Sequence, residues 1–302
     1  MTIRYDGRVA IVTGAGAGLG RSHAMLLASR GAKVVVNDPG GSVDGKGGDG
    51  AAADAVVAEI RAAGGEAVAN YASVSDREGA ASIVQTAIDA FGRIDIVVNN
   101  AGILRDKSFI KMSLDDFEAV LAVHLLGTVY VTKAAWPHLL EQKYGRIVFT
   151  TSGSGLVGSY GQSNYGAAKT GMLGLMNNLK FEAAKADIKI NMISPVAATR
   201  MTAGIIDEKL FELSKPEQVS PAVAWLCSED CDVNGEIVAA GAGYFTSVRL
   251  MKSEGVVVDP SGIATIEDFV ANRDRIFDIS TAKPYNSTLD DATKRKLGLL
   301  EG

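Results

Sequence analysis

The sequence predicts an α/β protein with one doubly wound, parallel sheet at its centre. Three observations carry that prediction. Short apolar runs alternate with longer stretches of helical spacing, the runs are apolar at nearly every position, and glycines mark the turns between them. A strand apolar on both faces needs cover on both, which helices flanking a parallel sheet provide. Val9-Ala-Ile-Val12 reads as strand one, and a glycine-rich turn follows it. Leu19 to Arg30 has helical spacing (Leu19, His23, Leu26, Leu27) and is stopped by Gly31. Val34 to Val36 is strand two, closing on Asn37-Asp38. A helix over 51–63 leads to a strand over 67–71, and a helix over 78–91 to a strand over 94–98 that runs into Asn99-Asn100-Ala101-Gly102. Ser113-Leu-Asp-Asp116 has capping-box spacing, with Asp in place of Glu, and opens a long helix through Leu140. Strand five (146–149), a helix (164–185), strand six (188–193), a helix carrying Pro221 to Cys227 and strand seven (237–240) complete the alternation.

Composition bounds the function. Of 302 residues, 47% are apolar, enough to bury the core of a large domain and to argue against disorder. A net charge of −5 argues against a nucleic-acid partner. Cys227 and Cys231 form an isolated pair in an expected helix, which points to reduced thiols in a reducing compartment. A zinc site would need two further ligands nearby and none appears, so no metal is expected. Arg4, Asp6 and Arg8 before the first apolar run do not resemble a secretory leader, and no run approaches the ~18 apolar residues of a membrane span. The expectation is a soluble, cytoplasmic protein. Two segments fall outside the alternation. Pro39 to Gly50 is a glycine-rich insertion, readable as a flexible loop or as a flap over one end of a ligand. Residues 247–302 are more polar and read as an extension of a 1–246 catalytic domain, a lid or subunit contact with no independent core.

The turn after strand one is Thr13-Gly-Ala-Gly-Ala-Gly-Leu-Gly20. Gly14, Gly18 and Gly20, with Leu19 between the last two, allow a tight turn, close approach of a pyrophosphate and close packing of helix on strand. The helix start then offers free N–H groups and the positive end of its dipole to the phosphates. Together with the flanking strand and helix, this predicts a dinucleotide-binding Rossmann arrangement. Asp38 ends strand two about 20 residues further on, where a carboxylate accepts from both ribose hydroxyls and repels a 2′-phosphate. No cation lies inside the glycine loop, so NAD is the expected cofactor; a plain turn-forming Asp before Pro39-Gly40 is the alternative.

Tyr165 and Lys169 are four apart on an expected helix and share a face, and Ser152 ends strand five. A phenol is a poor base near neutral pH, and a neighbouring ammonium is expected to lower its pKa. Ser152 can donate to an oxygen on which charge develops. In this combination the three side chains suit proton transfer to or from a secondary alcohol or ketone, with Tyr165 carrying the proton.

Thr13-Gly-x-x-x-Gly-x-Gly20, Asn99-Asn-Ala-Gly102, Ser152 and Tyr165-x-x-x-Lys169 together resemble the short-chain dehydrogenase/reductase superfamily over about residues 6–245. The resemblance implies that Ser73 and Val74 flank the adenine and that Asn100, Ala101 and Gly102 back the cofactor. It also places Ala197 to Arg200 beside the nicotinamide, with Thr199 on its carboxamide. A narrower resemblance covers nearly the whole chain, in stretches such as VVVNDPGG, FGRIDIVVNNAGILRDKSF, GQSNYGAAK and WLCSEDCDVNG. These look like the (3R)-hydroxyacyl-CoA dehydrogenase domains of peroxisomal multifunctional enzymes type 2, also called 17β-hydroxysteroid dehydrogenases type 4, and their stand-alone bacterial relatives. That implies a substrate with an apolar body, an acyl-CoA or a steroid, and a homodimer or homotetramer built through the helices around 113–140 and 164–185. His124 stands where the superfamily has Asn; the family role belongs to the backbone carbonyl, which holds a water in a proton path to the lysine, and a packing role is the alternative. Pro195-Val-Ala-Ala-Thr199 lacks the usual glycine after proline, and Pro39 stands where an apolar residue is common. A dinucleotide-binding sensor without turnover is the competing class of function, and the intact Ser152, Tyr165 and Lys169 argue against it.

Overall fold

The computed structural model describes residues 2–48, 50–197, 212–259, 262–285 and 291–299. Its strands are β1 (Val9–Thr13), β2 (Lys33–Asn37), β3 (Glu66–Asn70), β4 (Ile96–Asn99), β5 (Tyr144–Thr150), β6 (Asp187–Pro195), β7 (Ile237–Gly241) and β8 (Tyr244–Val248). They form one sheet in the order β3-β2-β1-β4-β5-β6-β7-β8. β1 to β7 pair in parallel, and the register sets Val12 beside both Val36 and Val98, so the carboxyl ends of β1, β2 and β4 lie level. The strand order reverses between β1 and β4, and such a reversal opens a crevice outside the strand ends in which ligands bind.

All five positions of β1 are buried, as a strand covered on both faces requires. On one face, Val12, Val34, Ile96 and Val148 pack with Leu27, Val56, Ile60 and Val223 of helices α1 (Gly18–Ser29), α2 (Ala51–Ala62) and α8 (Ser220–Leu226). The other face is covered by α3 (Arg77–Phe91), α5 (Gly127–Gln142) and α7 (Ser163–Glu182), with Ile83, Leu139 and Met176 fully buried. Each such side chain contributes about 1.5–3 kcal/mol of burial, which holds a helical layer to each face of the sheet. At the opposite end of β5 from the crevice, Arg146 is only 1% exposed. Its guanidinium donates to the carbonyls of Gly145, Asp187 and Ser228 and to Asp187 Oδ2, so four of the five N–H groups of a buried charge are hydrogen-bonded.

The eighth strand corrects the seven expected. Ala242 and Gly243 both take positive φ, 49° and 76°, and a two-residue turn of that kind reverses the chain into an antiparallel edge strand. Its alternation was invisible because most of Tyr244–Val248 is exposed. The long helix expected from Ser113 is divided into α4 (Leu114–Leu121) and α5 by a π-helical turn over Ala122–Leu126. The capping box is half formed: Ser113 Oγ accepts from Asp116 N at 3.1 Å, while the Asp116 carboxylate binds Lys107 and Arg105 instead. α5 ends on Lys143 in the left-handed conformation, φ 55°.

By length and composition alone the helical run Leu114–Gln142 is long and apolar enough to cross a membrane, the one such helix among the described residues. It packs on β4, β5, α3 and α7, as a core helix of this fold does.

The chain divides into two compact units, Met1–Ser247 and Val248–Gly302. The second holds an antiparallel pair, β9 (Met251–Lys252) and β10 (Lys283–Pro284), and short helices α9 (Ile266–Ala271), α10 (Arg273–Phe277) and α11 (Asp291–Lys296). Thr265 and Asp268 form a reciprocal capping box at the start of α9, and Phe269 meets Phe277 edge to face at 6.4 Å.

Candidate active site

The crevice at the strand ends is a cavity of about 920 Å³ in the first unit. Its floor is the glycine loop. Thr13 Oγ1 accepts from the N–H groups of Asn100 (3.0 Å) and Ala101 (3.1 Å), and Asn100 Nδ2 donates to the carbonyls of Thr13 and Gly14. These bonds clamp the loop after β1 to the segment after β4. A side chain at Gly14 would meet Ala101 Cα at 2.7 Å, and one at Gly20 would run into the Gly14 carbonyl. The start of α1 has no side-chain cap and no acid in its first turn. Unsatisfied N–H groups at a helix start, approached closely by backbone alone, fit a pyrophosphate.

Asp38 Oδ2 accepts from Gly16 N and Oδ1 from Gly40 N, both at 2.8 Å, so the carboxylate lines the cavity and holds the glycine loop at once. A Cβ on Gly16 would lie 2.8 Å from Asp38 Oδ2 and 2.7 Å from Ala52 Cβ. Asn37, missed by sequence reasoning, donates to Asn70 and to the carbonyl of Ala72, which places Ser73 and the buried Val74 on the cavity wall. Gly18, Leu19, Gly102 and Ala197 also line the cavity; Thr199 and Arg200 lie outside the described residues.

The insertion folds back on itself: Ser42 accepts from the amide of Gly45, and Lys46 O from that of Ser42. Leu104 N donates to Val43 O at 3.0 Å and Arg105 Nε to Asp44 O at 3.1 Å, so the insertion spans the cavity from β2 to the segment after β4.

Ser152, Tyr165, Lys169 and His124 face the same cavity. Lys169 is buried; its Nζ lies 5.3 Å from the Tyr165 ring centre and donates to Thr150 O at 2.5 Å. Burial brings its pKa down to about 7. Tyr165 behaves opposite to the sequence expectation. Burial pushes its phenol up to about 12, a hydrogen bond from Ser152 pulls it down, and the Asp106 carboxylate adds to the rise. The reason is that desolvation penalises both charged forms at once, which spacing along a helix does not reveal.

His124 sits in the π turn, 5.0 Å from the Tyr165 ring and edge-on to it. Its Nε2 lies 3.0 Å from Ile103 N and 2.8 Å from Ile103 O, and burial, aided by Lys169, holds its pKa well below the usual value. Its backbone carbonyl already accepts from Thr128 Oγ1 at 2.7 Å. A side chain at Gly102 would run into the imidazole. Among the described residues, His124 Nδ1 and Thr150 Oγ1 are buried without a hydrogen-bond partner, polar groups left facing a site. Cys227 and Cys231 are buried free thiols, and no group of His, Cys, Asp and Glu among the described residues could hold a metal ion.

The short chain dehydrogenase family model matches residues 8–209. The peroxisomal multifunctional enzyme type 2 of Drosophila melanogaster is 49% identical over 304 residues, covering 99% of this chain and 50% of its own. The solved structure of that full-length enzyme superimposes with a TM-score of 0.82 at 41% identity, over 98% of this chain and 50% of that one. The chain therefore spans about half the length of this relative. Two Mycobacterium tuberculosis proteins match over most of their lengths: a short-chain type dehydrogenase/reductase (51% identity; 91% of this chain, 96% of its own) and a hydroxyacyl-CoA dehydrogenase (36%; 90% and 92%). A 7α-hydroxysteroid dehydrogenase solved with NADH and a 7-oxo bile acid has a TM-score of 0.71 at 28% identity, over 80% of this chain and 95% of that one. With its parallel sheet, its glycine loop and the Ser152, Tyr165 and Lys169 side chains on one cavity, this chain belongs to the short-chain dehydrogenase family of enzymes.

Proposed function

We propose that this dehydrogenase uses NAD to interconvert the secondary alcohol and ketone of a (3R)-hydroxyacyl-CoA thioester. The observation that carries the chemistry is the convergence of Ser152, Tyr165 and Lys169 on the cavity that also holds the glycine loop. Asp38 lines that cavity with its carboxylate, which supports NAD over a 2′-phosphorylated cofactor. When bound, the nicotinamide supplies or takes the hydride and, oxidised, adds a positive charge. In alcohol oxidation Tyr165 Oη takes the hydroxyl proton and Ser152 Oγ holds the substrate oxygen by donating to it. In its charged form Lys169, whose Nζ lies 5.3 Å from the ring, favours the phenolate that burial disfavours. In reduction the same phenol returns the proton.

The segment around Ser159, which lines the cavity, supports an apolar substrate body: Val157 and Tyr160 are each at least 89% exposed. The hydroxyacyl-CoA dehydrogenase relative favours a thioester, and the steroid dehydrogenase structure keeps a hydroxysteroid as the second reading. Exposed Leu114, Leu126, Leu140 and Phe181 support self-association through the helices around 113–140 and 164–185, as a dimer or tetramer. Two free thiols suit a reducing compartment, and residues 248–302 serve as a lid or a subunit contact. The test is a panel of (3R)- and (3S)-hydroxyacyl-CoA, 17β-estradiol and testosterone with NAD⁺ or NADP⁺, following reduced cofactor. Turnover of the (3S) thioester alone, or with NADP⁺ alone, overturns the reading.

A further inference from the structure

A hydrogen-bond chain outside the family motif ends on Ser152. Asp106, in the segment after β4, accepts from Gln162 Nε2 at 2.6 Å. Gln162 Oε1 accepts from Ser154 Oγ at 2.6 Å, and Ser154 N donates to Ser152 Oγ at 3.2 Å. The direction of each link is forced. A carboxylate only accepts, so Gln162 must turn its amide NH₂ to Asp106 and its oxygen to Ser154, whose hydroxyl must then donate. Gln162 is the N-cap residue of α7 yet makes no side-chain cap; the residue is 9% exposed and its amide is committed to this chain. Two further bonds brace the same junction, Lys107 N to Gly161 O at 3.0 Å and Asn164 Nδ2 to Arg105 O at 3.1 Å.

At the far end, Ser152 Oγ receives the Ser154 N–H as the N-cap of α6 (Gly153–Leu156). With one lone pair occupied by the Ser154 N–H, its O–H is given to the cavity side, to Tyr165 here and to the reacting oxygen when substrate is present, and an oxygen that already accepts a hydrogen bond is a better donor. We infer that Asp106 and Gln162 are positioning residues that, through Ser154, hold Ser152 as the donor to the reacting oxygen. This deepens the proposed function and rests on it.

Gln162→Leu keeps most of the bulk of the side chain and removes both links, while Asp106→Asn keeps an acceptor for Gln162 Nε2 and Asp106→Ala does not. Steady-state kinetics with the best substrate of the panel, dinucleotide affinity and melting temperature are measured for each, with Ser152→Ala alongside. Loss of orientation at a reacting group is worth about 10- to 100-fold, so Q162L and D106A are expected to lose that in kcat with the dinucleotide KM unchanged. D106N should stay within about threefold of wild type, the rescue that a bulk structural role does not give. If Q162L misfolds, Ser154→Ala, which removes only one hydroxyl, reads the same loss. Should Q162L and S154A both keep wild-type kcat while S152A is inactive, the inference falls and the proposed function stands. Should S152A itself keep wild-type kcat, both fall.

Discussion

Asp38 is the residue on which the choice of cofactor turns, and Asp38→Asn tests it. Each carboxylate oxygen accepts one backbone N–H, from Gly16 and Gly40, at 2.8 Å. In the amide, one of these oxygens becomes an NH₂ that faces an N–H, so one bond is lost and the other loses its charge assistance. The same oxygen would also stop accepting from a ribose hydroxyl; a hydrogen bond to a charged group is worth about 1.5–3 kcal/mol, and about 2 kcal/mol lost there is about 30-fold in NADH affinity. NADPH should behave differently, because the repulsion of its 2′-phosphate is removed in the same step, and its affinity should hold or rise. Fluorescence titration of both reduced cofactors, with a melting curve as control, reads the two effects. NADH affinity within twofold of wild type refutes the argument. A parallel loss for both cofactors shows that Asp38 merely holds the turn.

Tyr165→Phe removes the proton carrier and leaves the hydrogen-bonded frame of α7 in place, so kcat should fall about 10²- to 10⁴-fold with NADH binding unchanged, measured by initial rates and titration. With Tyr165 raised to about 12 by burial, alcohol oxidation should climb with pH because it needs the phenolate, while ketone reduction, which needs the phenol, should stay level from pH 6 to about 9; a flat oxidation profile would contradict this. Lys169, lowered to about 7, is neutral in the folded chain and charged in the unfolded one between that pH and its ordinary value. The unfolded state then binds the extra proton, so Lys169 makes stability rise with pH above about 7, and denaturant unfolding should lose that contribution in Lys169→Met. Lys143→Gly relieves a left-handed C-cap and should raise stability by up to about 1 kcal/mol, seen as a shift of about 2–4 °C in melting temperature.

The order of elements could be read from the chain because its strands are apolar throughout, and Val9 to Val12 or Val34 to Val36 needs little context to be a buried strand. The residues that motifs single out are brought to one cavity because each follows the carboxyl end of a strand or lies on a helix bounding the crevice. What spacing conceals is environment. Tyr165 and Lys169 are four apart whether wet or dry, and only their burial shows that both charged forms are disfavoured. Asp106 and Gln162 are 56 residues apart, and no local pattern announces a contact that the packing of two loops creates. The edge strand β8 lacks the apolar run by which the others are recognised, and α6 is a single turn.

The π turn over Ala122–Leu126 has a consequence for how this chain can change length. An extra residue in one turn advances the helix by about 100°, so the stripe that α4 presents to α7 is out of phase with the one α5 presents to α3 and the sheet. Deleting one residue between 122 and 126 would restore an unbroken helix and rotate one of those two stripes off its neighbour. It would also swing His124 away from the Tyr165 ring it meets at 5.0 Å. Surface loops absorb insertions and deletions at small cost, but here the residue count itself is part of the active-site geometry. Length polymorphism in descendants of this chain should therefore collect in the 39–50 insertion and leave this helix untouched.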